Sequence, residues 1–542
     1  MGQAKPRTEP KITAIYKTLE RAGLVLSRDR YGATYMAVPR YSGTRFHRIR
    51  LDGGNAPSLV RSIWGQAHTG ADGYRPAVPL SKSLLYEVLS ELRTRADELP
   101  EQPHHQRVAR LPDGRRIIDP AWPAGKEKAE STWRCIEIAG RGWRGLQREP
   151  HGALFTRSAS AEAMPAPIRP KRRNPFAELQ ALFPTVRSDR MVLLLAAMAY
   201  SLVSTEDHVL ILLYGRGNAG KSTLARLVRD IIDPNAKPLD PMPSHDAVRN
   251  LIVSGAHDRQ LVLDNISTLE RDVADMLCQR LDGYGGGGRY RVLHTNADQV
   301  VVPSSGPVLL TAILAMLGHA DLADRCIVLD VAEVNGDGRM ALPSLEVEAR
   351  KAELLPPLFG RLLDAAAAGL AGMKQFNAVP GFRNAAFAAF AQAAAPVFGE
   401  TPAGMAALLA DMGNHQRALA AEAAPVASAL LDLVSAGALL EGLPLGLLWR
   451  GTAAGLLTEL AKIPSVRMDP AFPRTGAALQ GELTRLKGVL LSAGLRVLVR
   501  RSGQAGGPAG SARWIEVWQA DPTAAAAAEL EERTAEGAAI VN

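Results

Sequence analysis

The sequence predicts a multidomain α/β protein whose largest domain is built on a parallel sheet. Four apolar segments, "HVLILLYG", "RQLVLDN", "GPVLLTAI" and "RCIVLDV", alternate with helical stretches between residues 177 and 332. This alternation is typical of parallel strands that are connected by helices. The 542 residues, 47% of them hydrophobic, are enough for about three or four packed domains.

Positive charge is concentrated in the N-terminal third of the chain. Residues 1–180 contain 31 Lys and Arg against 18 Asp and Glu, whereas the remainder contains 32 against 37. A net charge of +13 in one region indicates contact with a polyanion, most simply nucleic acid. Composition alone does not distinguish this from a basic surface that is only exposed to solvent. Helical and alternating segments are mixed in this region, so we expect an α+β accessory domain.

The cysteines and the apolar segments indicate a cytoplasmic protein without a membrane span. Cys135, Cys278 and Cys326 are far apart, which gives neither a disulfide framework nor a metal-ligand spacing. The first ten residues lack the apolar core of a signal peptide. The longest uncharged stretch, between Asp298 and Asp321, is interrupted by "VVPSSGP" and predicts strand, turn and strand.

The C-terminal part has the pattern of a winged helix. The segment "GELTRLKGVLLSAG" predicts a helix, and "LRVLVRR" and "ARWIEVW" predict two strands across a glycine-rich connection. Residues 481–518 carry six basic side chains against two acidic ones. A basic wing suits duplex or forked DNA, with protein contact as the alternative. The candidate DNA contacts here are Arg485, Lys487, Arg500 and Arg501.

Shifts in composition along the chain predict six segments. The stretch "AMPAPIRPKRRNPF" is rich in proline and basic residues, which is typical of a linker. The predicted segments are a basic α+β accessory domain (1–160), a linker (161–176), the parallel α/β core (177–335), a helical region (336–444), a winged-helix-like domain (445–518) and a disordered tail (519–542).

A phosphate-binding loop is predicted by "GRGNAGKST", which lies between a strand and a helix. Backbone N–H groups of such a loop and of the helix N-terminus bind phosphates. Lys221 would reach the β- and γ-phosphates of ATP, and Ser222 would ligate Mg²⁺. A chance match on a turn is the alternative, and the flanking strand and helix argue against it. The predicted nucleotide contacts are Gly215, Gly217, Asn218, Gly220, Lys221, Ser222 and Thr223.

A second element of the same site is predicted in "LVLDNI". Asp264 ends an apolar strand 43 residues after Lys221 and could hold Mg²⁺ directly or through water, although a carboxylate at a strand end can also serve only as a cap. Asn265 follows it and can orient a water molecule but cannot take its proton. Glu270 is the nearest acid downstream and lies beyond the strand.

A glycine-rich hairpin and a later arginine complete the pattern. Four glycines, 285–288, precede a strand–turn–strand segment. Glycine provides conformational freedom, and basic residues at the hairpin suit a nucleic-acid backbone, whereas an ordinary mobile loop is the alternative. In "DLADR", Arg325 could act in trans on a neighbour's γ-phosphate or form an ion pair with Asp324 or Asp321. The candidate DNA contacts of the hairpin are Arg289, Arg291 and His294.

These motifs together resemble AAA+ ATPases of the superfamily III helicase kind found in phages, prophages and plasmids, in particular the C-terminal halves of primase-helicases. The resemblance rests on "GRGNAGKST", "DNIS", "LCQRLDGYGGGGRYRVLHTN", "SGPVLLTAI" and "DLADR", with a weaker match in "GWRGLQREPHGALFTR". It covers most of the chain. The group carries Asn at the position of Asn265, so this residue is a group trait.

The resemblance implies a DNA helicase or translocase with a P-loop AAA+ core, acting in replication of a mobile element. Its expected partners are single-stranded or forked DNA, further copies of itself in a hexameric ring with ATP and Mg²⁺ at the subunit interfaces, and a primase or another replication protein. Residues 1–160 show no acidic pair suited to a two-metal primase, so we do not expect priming activity from this chain.

Two departures from the group leave the rate of ATP hydrolysis open. Thr311 stands where the group has a sensor Asn, and Gly306 stands where it has Arg. Threonine still hydrogen-bonds, but its reach is shorter. The implied catalytic set is Lys221, Asp264, Asn265, Thr311 and Arg325. The alternative functions are an ATP-gated origin-binding or loader protein with little turnover, and a DNA-sensing defence ATPase.

Overall fold

The computed structural model describes most of the chain. In sequence order it has an N-terminal part of helices and short strands, a parallel sheet, a helical region and a small C-terminal sheet. The described residues are 11–38, 48–68, 80–122, 133–140, 142–170, 173–283, 287–291, 299–313, 319–334, 338, 340–435, 446–463, 472–501 and 513–520. The tail predicted as disordered lies, from residue 521 onward, outside them.

The N-terminal part combines three helices with short strands. One antiparallel sheet has the order β1–β2–β3 and a second has the order β5–β6–β7–β8, while β4 pairs with β9 in parallel. The elements are α1 (Lys11–Arg21), β1 (Val25–Arg28), β2 (Thr34–Ala37), β3 (Ile49–Arg50), α2 (Asn55–Ala67), α3 (Lys82–Asp97), β4 (His104–His105), β5 (Val108–Arg110), β6 (Arg116–Ile118), β7 (Cys135–Ala139), β8 (Gly142–Leu146) and β9 (Leu154–Phe155).

The three helices have their own small core. Leu19 of α1, Ile63 of α2 and Leu92 of α3 are buried in one apolar cluster that is separate from the main core. The spacing of apolar residues along each helix puts them on one face, which is the reason these segments are helical in this context.

The main core is a four-stranded parallel sheet, as the sequence predicts. Its order is β11–β14–β10–β15, so the first strand in the chain lies between the last two. Within the sheet β14 is completely buried, in agreement with the near-continuous apolar segments. The elements are α4 (Pro175–Leu182), α5 (Ser188–Ser201), β10 (Leu210–Tyr214), α6 (Lys221–Ile232), α7 (Ala247–His257), β11 (Leu261–Ile266), α8 (Arg271–Asp282), β12 (Gly287–Arg291), β13 (Gln299–Pro303), β14 (Val308–Ala312), α9 (Ala320–Ala323) and β15 (Cys326–Asp330).

A helical region follows the sheet. Its longest helix, α10, contacts α4, α5 and α11 and also strands β7 and β8 of the N-terminal part. The elements are α10 (Ser344–Gly372), a 3₁₀ turn (Met373–Gln375), α11 (Ala385–Ala394), a second 3₁₀ turn (Ala395–Phe398), α12 (Pro402–Ala423) and α13 (Pro425–Ser435).

One helical segment is long and apolar enough to cross a membrane by length and composition alone. It spans Ser344–Gln375 with a mean hydropathy of 1.3, and 61% of its most apolar window is buried inside the molecule. Because it packs against helices and strands on several sides, its apolar surface is that of a core helix.

The C-terminal part has an antiparallel sheet of order β16–β18–β17 packed with short helices. The single helix predicted over "GELTRLKGVLLSAG" is two helices, because the chain leaves helical geometry at the buried Leu486. The elements are β16 (Leu447–Gly451), α14 (Ala453–Leu460), α15 (Gly476–Arg485), α16 (Lys487–Ser492), β17 (Leu495–Arg501) and β18 (Arg513–Gln519).

The described residues of the predicted linker lie packed against the N-terminal part and the helical region. Met164 is buried, and its N–H donates to Pro120 O at 2.8 Å. The N–H of Ile168 donates to Pro356 O of α10 at 3.0 Å, and a Cβ on Gly360 would overlap the Ile168 carbonyl. The segment therefore fastens the N-terminal part to the helical region.

A buried ion pair also joins the N-terminal part to the core. Arg107 Nε lies 2.9 Å from Asp233 Oδ1, and the two side chains are only 4% and 5% exposed. Arg107 Nη2 donates in addition to the carbonyls of Glu162 and Pro234. Breaking such a pair leaves one uncompensated buried charge.

We expect Arg107→Met to lower the free energy of unfolding by about 3–5 kcal/mol, because the buried Asp233 loses its ion-pair partner. Denaturant unfolding measures this loss. The matched control is Arg95→Met, which removes an exposed pair with Glu91 and should cost at most about 1 kcal/mol. Equal losses in the two variants would contradict the assigned role of Arg107.

Candidate functional site

The glycine-rich loop leaves the carboxyl end of β10 in a conformation that requires glycine at two points. A Cβ on Gly215 would overlap Val331 O, and Gly220 has a φ of 87°. Asn218 is also left-handed, with a φ of 63°. Gly217 has open space around it, so its type is not dictated by a close contact. The loop therefore turns sharply from the strand into α6.

The N-terminus of α6 faces this loop without a side-chain cap. Gly220 precedes the helix, and no side chain hydrogen-bonds the first N–H groups. The first N–H groups of a helix have no partner within it and, with the helix dipole, favour an anion. The geometry is thus that of an anion-binding turn.

Lys221 is folded back over the loop. Its Nζ donates to Gly215 O at 2.7 Å and to Arg216 O at 2.6 Å, and the residue is 9% exposed. Burial lowers the pKa of Lys221, and the nearby Asp264 carboxylate opposes this shift. The ammonium group is therefore held where a phosphate on the loop would lie within reach.

Asp264 connects the loop to two strands of the sheet. Its Oδ1 accepts from Ser222 Oγ at 2.8 Å and from Thr311 Oγ1 at 2.5 Å. Thr311 Oγ1 accepts in turn from the N–H of Asn265 at 2.8 Å. Thr311 is 1% exposed, and its hydroxyl orients the Asp264 carboxylate.

Asn265 occupies a backbone position that few residues tolerate. Its φ is 56°, and the pairing of β11 with β14 shifts register between Leu263 and Ile266. The left-handed region strains most L-residues but is accessible to Asn and Gly. Asn265 is exposed, so the local backbone explains why Asn stands after Asp264.

Asn265→Val is expected to destabilise the protein by about 1–2 kcal/mol, whereas Asn265→Gly should have little effect, because only glycine also accepts the left-handed conformation. The two variants can be compared by thermal and denaturant unfolding. If valine proves as well tolerated as glycine, the backbone explanation is wrong.

The donor set at Asp264 suits Mg²⁺ held together with a phosphate. It offers one carboxylate and one hydroxyl, and Mg²⁺ usually takes one or two protein ligands beside phosphate and water oxygens. The described part of the chain contains no cluster of three or more His, Cys, Asp or Glu side chains that could hold a metal ion. The three cysteines are all free.

Thr223 has a partner that the sequence did not reveal, whereas Glu270 has no described hydrogen bond to the site. Thr223 Oγ1 lies 3.0 Å from Ser344 Oγ, which joins α6 to the start of α10. Glu270 precedes α8 and is exposed, and its described contacts do not include Asp264 or Ser222. Glu270 is therefore not placed as a second acid in this structure.

Arg325 lies at the opposite edge of the sheet from the loop. Its carbonyl accepts from Leu210 N–H at the start of β10, whereas the loop follows the end of that strand, about 16 Å away for five residues. Its guanidinium pairs with Asp282 through two hydrogen bonds of 3.0 Å, and its side chain is 10% exposed. The ion-pair alternative is thus present: Asp282 is the main partner, and Asp321 also pairs with Arg325 Nη1 at 3.9 Å and accepts from it through its carbonyl at 2.6 Å.

Gly306 precedes β14 and therefore also lies away from the loop. A Cβ there would overlap Arg259 O and come within 2.7 Å of Arg280 Nη2. An arginine at this position has no space in this structure. The departure at Gly306 thus reflects local packing, and it is not in direct contact with the nucleotide loop.

The predicted glycine-rich hairpin is present, with its tip outside the described residues. β12 and β13 pair antiparallel, with Gly287 opposite Pro303 and Arg291 opposite Gln299. A Cβ on Gly287 would overlap Val302 O. Arg289 and Arg291 lie on β12, and His294 falls in the undescribed tip.

The base of the hairpin is anchored by Arg280, a residue that the sequence did not single out. Its side chain is fully buried and donates to Ser304 Oγ and to the carbonyls of Gly255, Asp258 and Arg259. Burial lowers its pKa to about 9. Nothing in the local sequence indicated this, since its acceptors are mostly backbone carbonyls.

Two of the predicted basic DNA contacts in the C-terminal part form ion pairs with glutamates. Arg485 pairs with Glu482 at 2.6 Å, and Lys487 is exposed. Arg500 Nε lies 3.4 Å from the buried Glu516, whose carboxylate also accepts from two tryptophans. Arg501 ends β17 opposite Arg513. Arg500 is therefore held along the sheet by Glu516.

The chain has a multidomain α/β fold, and the family models that match it describe a replication protein of a mobile element. Residues 182–413 match the model of the actinomycete integrative conjugative element replication protein. Residues 426–527 match the C-terminal domain model of the same replication protein, RepA. The resemblance to a mobile-element helicase-like ATPase is thereby confirmed.

Solved structures resemble the chain only distantly, and none of the curated proteins matches it. A structure titled "SCCmec type IV Cch - active helicase" aligns with a TM-score of 0.47 and 12% identity, over 93% of this chain and 94% of that one. The apo NrS-1 C-terminal region (305-718) gives 0.34 and 12%, over 95% and 100%. Its A form gives 0.32 and 14%, over 64% and 68%. These values are too low to support a conclusion about function.

Proposed function

We propose that the chain is an ATP-dependent DNA helicase or translocase that acts in replication of a mobile genetic element. In this proposal residues 177–335 are a P-loop AAA+ core, residues 445–518 are a winged helix, and the protein works as a homo-oligomeric ring, expected to be a hexamer. The observation that carries the proposal is the meeting of Lys221, Ser222 and Asp264 at the carboxyl edge of a parallel sheet.

Each of these residues has a defined task at a bound nucleotide. The N–H groups at the start of α6 bind phosphate oxygens, and Lys221 exchanges its two loop carbonyls for the β- and γ-phosphates. Ser222 and Asp264 would hold Mg²⁺, which supplies charge neutralisation at the phosphates. Thr311 keeps the Asp264 carboxylate turned toward Ser222.

The position of Arg325 supports nucleotide sites between subunits. It lies at the amino edge of the sheet and cannot reach the loop of its own chain. A neighbouring copy could bring its loop to this edge, and the Arg325–Asp282 pair would then open so that the guanidinium meets the γ-phosphate. The hairpin β12–β13 and the basic C-terminal sheet are the proposed contacts with single-stranded or forked DNA.

One observation favours a second candidate, an ATP-gated origin-binding or loader protein with little turnover. Within the described contacts, no second carboxylate hydrogen-bonds to Asp264 or Ser222, and Asn265 cannot accept a proton from water. A chain that binds ATP but hydrolyses it slowly would use the nucleotide for assembly. A primase or another replication protein is the expected partner under either function.

A forked DNA duplex with Mg-ATP distinguishes the two functions. The helicase function predicts strand separation that Lys221→Ala abolishes, together with phosphate release that DNA stimulates. Intact DNA binding without strand separation overturns the helicase proposal. ATP-dependent oligomers that form without steady phosphate release select the loader.

A further inference from the structure

A cleft separates the N-terminal part from the parallel-sheet core, away from the glycine-rich loop. Its volume is about 480 Å³, within the range of sites for small ligands. One wall comes from the β1–β2 turn and the segment 102–110, and the other from α7, Arg259 and the base of the hairpin. The cleft therefore adjoins the element proposed to hold DNA.

The rim on the N-terminal side presents an aromatic ring beside two arginines. Tyr31 is 36% exposed, and the Arg30 guanidinium carbon lies 4.8 Å from its ring centroid. Arg110, at the end of β5, is exposed on the same wall. Aromatic rings and arginines together suit a nucleobase and its phosphate.

The inner part of this wall contains a stacked pair of rings. The rings of Tyr35 and His104 stack with centroids 4.2 Å apart. Burial lowers the pKa of His104 and of His105 to about 4, so both are neutral at physiological pH. The buried His105 Nε2 has no hydrogen-bond partner.

The opposite wall contributes a buried cation and the base of the hairpin. Arg259 is 6% exposed, its Nη2 donates to Ser204 O, and its Nε is without a partner. Pro303, the last residue of β13, and Ser305 line the same wall.

The acidic residues of the cleft do not cancel these cations. Asp29 is buried and its carboxylate accepts three hydrogen bonds, from the N–H groups of Tyr31 and Ala33 and from the Tyr35 hydroxyl. Glu206 is the other acid that lines the cleft, against Arg30, Arg110 and Arg259. The net charge of the residues that line the cleft is therefore positive, which favours an anionic ligand.

We propose that this cleft binds one or two nucleotides of single-stranded DNA as the strand leaves the hairpin. The volume admits a nucleotide but not a duplex, and the stacked and basic side chains match a base and its phosphate. The inference rests on the proposed function, since it adds a second contact on the strand that the hairpin is proposed to hold. It assigns a role in DNA binding to the N-terminal part.

The test compares two double variants of the full-length protein. Tyr31→Ala with Arg110→Ala alters the rim of the cleft. Tyr86→Ala with Arg61→Ala removes the same residue types from exposed positions on α3 and α2, outside the cleft. The probe is a fluorescent oligothymidylate of 20 nucleotides, measured by anisotropy over a salt series, with a duplex of the same length in parallel.

We expect the cleft variant to bind the oligothymidylate about tenfold more weakly and with a smaller salt dependence, while the control stays within about twofold of the wild type. Equal affinity of the two variants overturns the proposal, and so does a loss confined to the duplex. Both leave the proposed function standing if the wild type binds and unwinds DNA. A wild type that does not bind single-stranded DNA overturns both.

Discussion

Lys221→Ala is expected to reduce ATP hydrolysis by about 10²–10³-fold, because it removes the cation placed to stabilise charge on the phosphates. Lys221 is the first residue of α6, and its ammonium group donates to the loop carbonyls of Gly215 and Arg216. Ser222 and Asp264 lie next to it. Loss of Lys221 also leaves both carbonyls without this donor. Steady-state phosphate release measures the loss of hydrolysis, and binding of a fluorescent ATP analogue measures separately any loss of nucleotide affinity.

The matched control for Lys221 is Lys462→Ala, which removes an exposed lysine paired with Glu459 on the C-terminal part. This variant should hydrolyse ATP as the wild type does. Unchanged hydrolysis in Lys221→Ala, with a normal unfolding transition, would show that the glycine-rich loop is not the site of turnover.

Arg325→Ala is expected to lower DNA-stimulated hydrolysis by about 10³-fold or more if the guanidinium acts on a neighbour's γ-phosphate. The same substitution also breaks the pair with Asp282, so activity loss alone does not identify the role. Asp282→Asn separates the two effects, since it weakens the pair and keeps Arg325. A trans-acting arginine predicts that Asp282→Asn retains activity, whereas a structural pair predicts equal losses in both variants.

Mixing subunits provides a second test of the trans role. Lys221→Ala supplies an intact Arg325, and Arg325→Ala supplies an intact Lys221. In a mixed ring, an interface that takes its loop from one variant and its arginine from the other is complete. We expect the mixture to recover part of the hydrolysis that each variant lacks alone. A mixture as inactive as its components argues against nucleotide sites shared between subunits.

Much of the central sheet was predictable because its signals are local. Continuous apolar segments mark β10, β11, β14 and β15, and the glycine–lysine motif marks the turn into α6. The break at Leu486 was not predictable in this way, because the apolar pattern of a helix continues through this buried leucine, where the two helices meet.

The sequence by itself determined the class of fold, the glycine-rich loop and the residues available for a phosphate and a metal ion. Only the tertiary structure decided which side chains these and other predicted residues contact. Thr311 donates to Asp264, 47 positions earlier in the chain, and Arg325 donates to Asp282, 43 positions earlier. The tertiary structure also brought the N-terminal rim residue Tyr31 to the hairpin base at Pro303. The physical reason is that strand order sets neighbours in space, and β14 lies beside both β11 and β10 although neither precedes it directly in the chain.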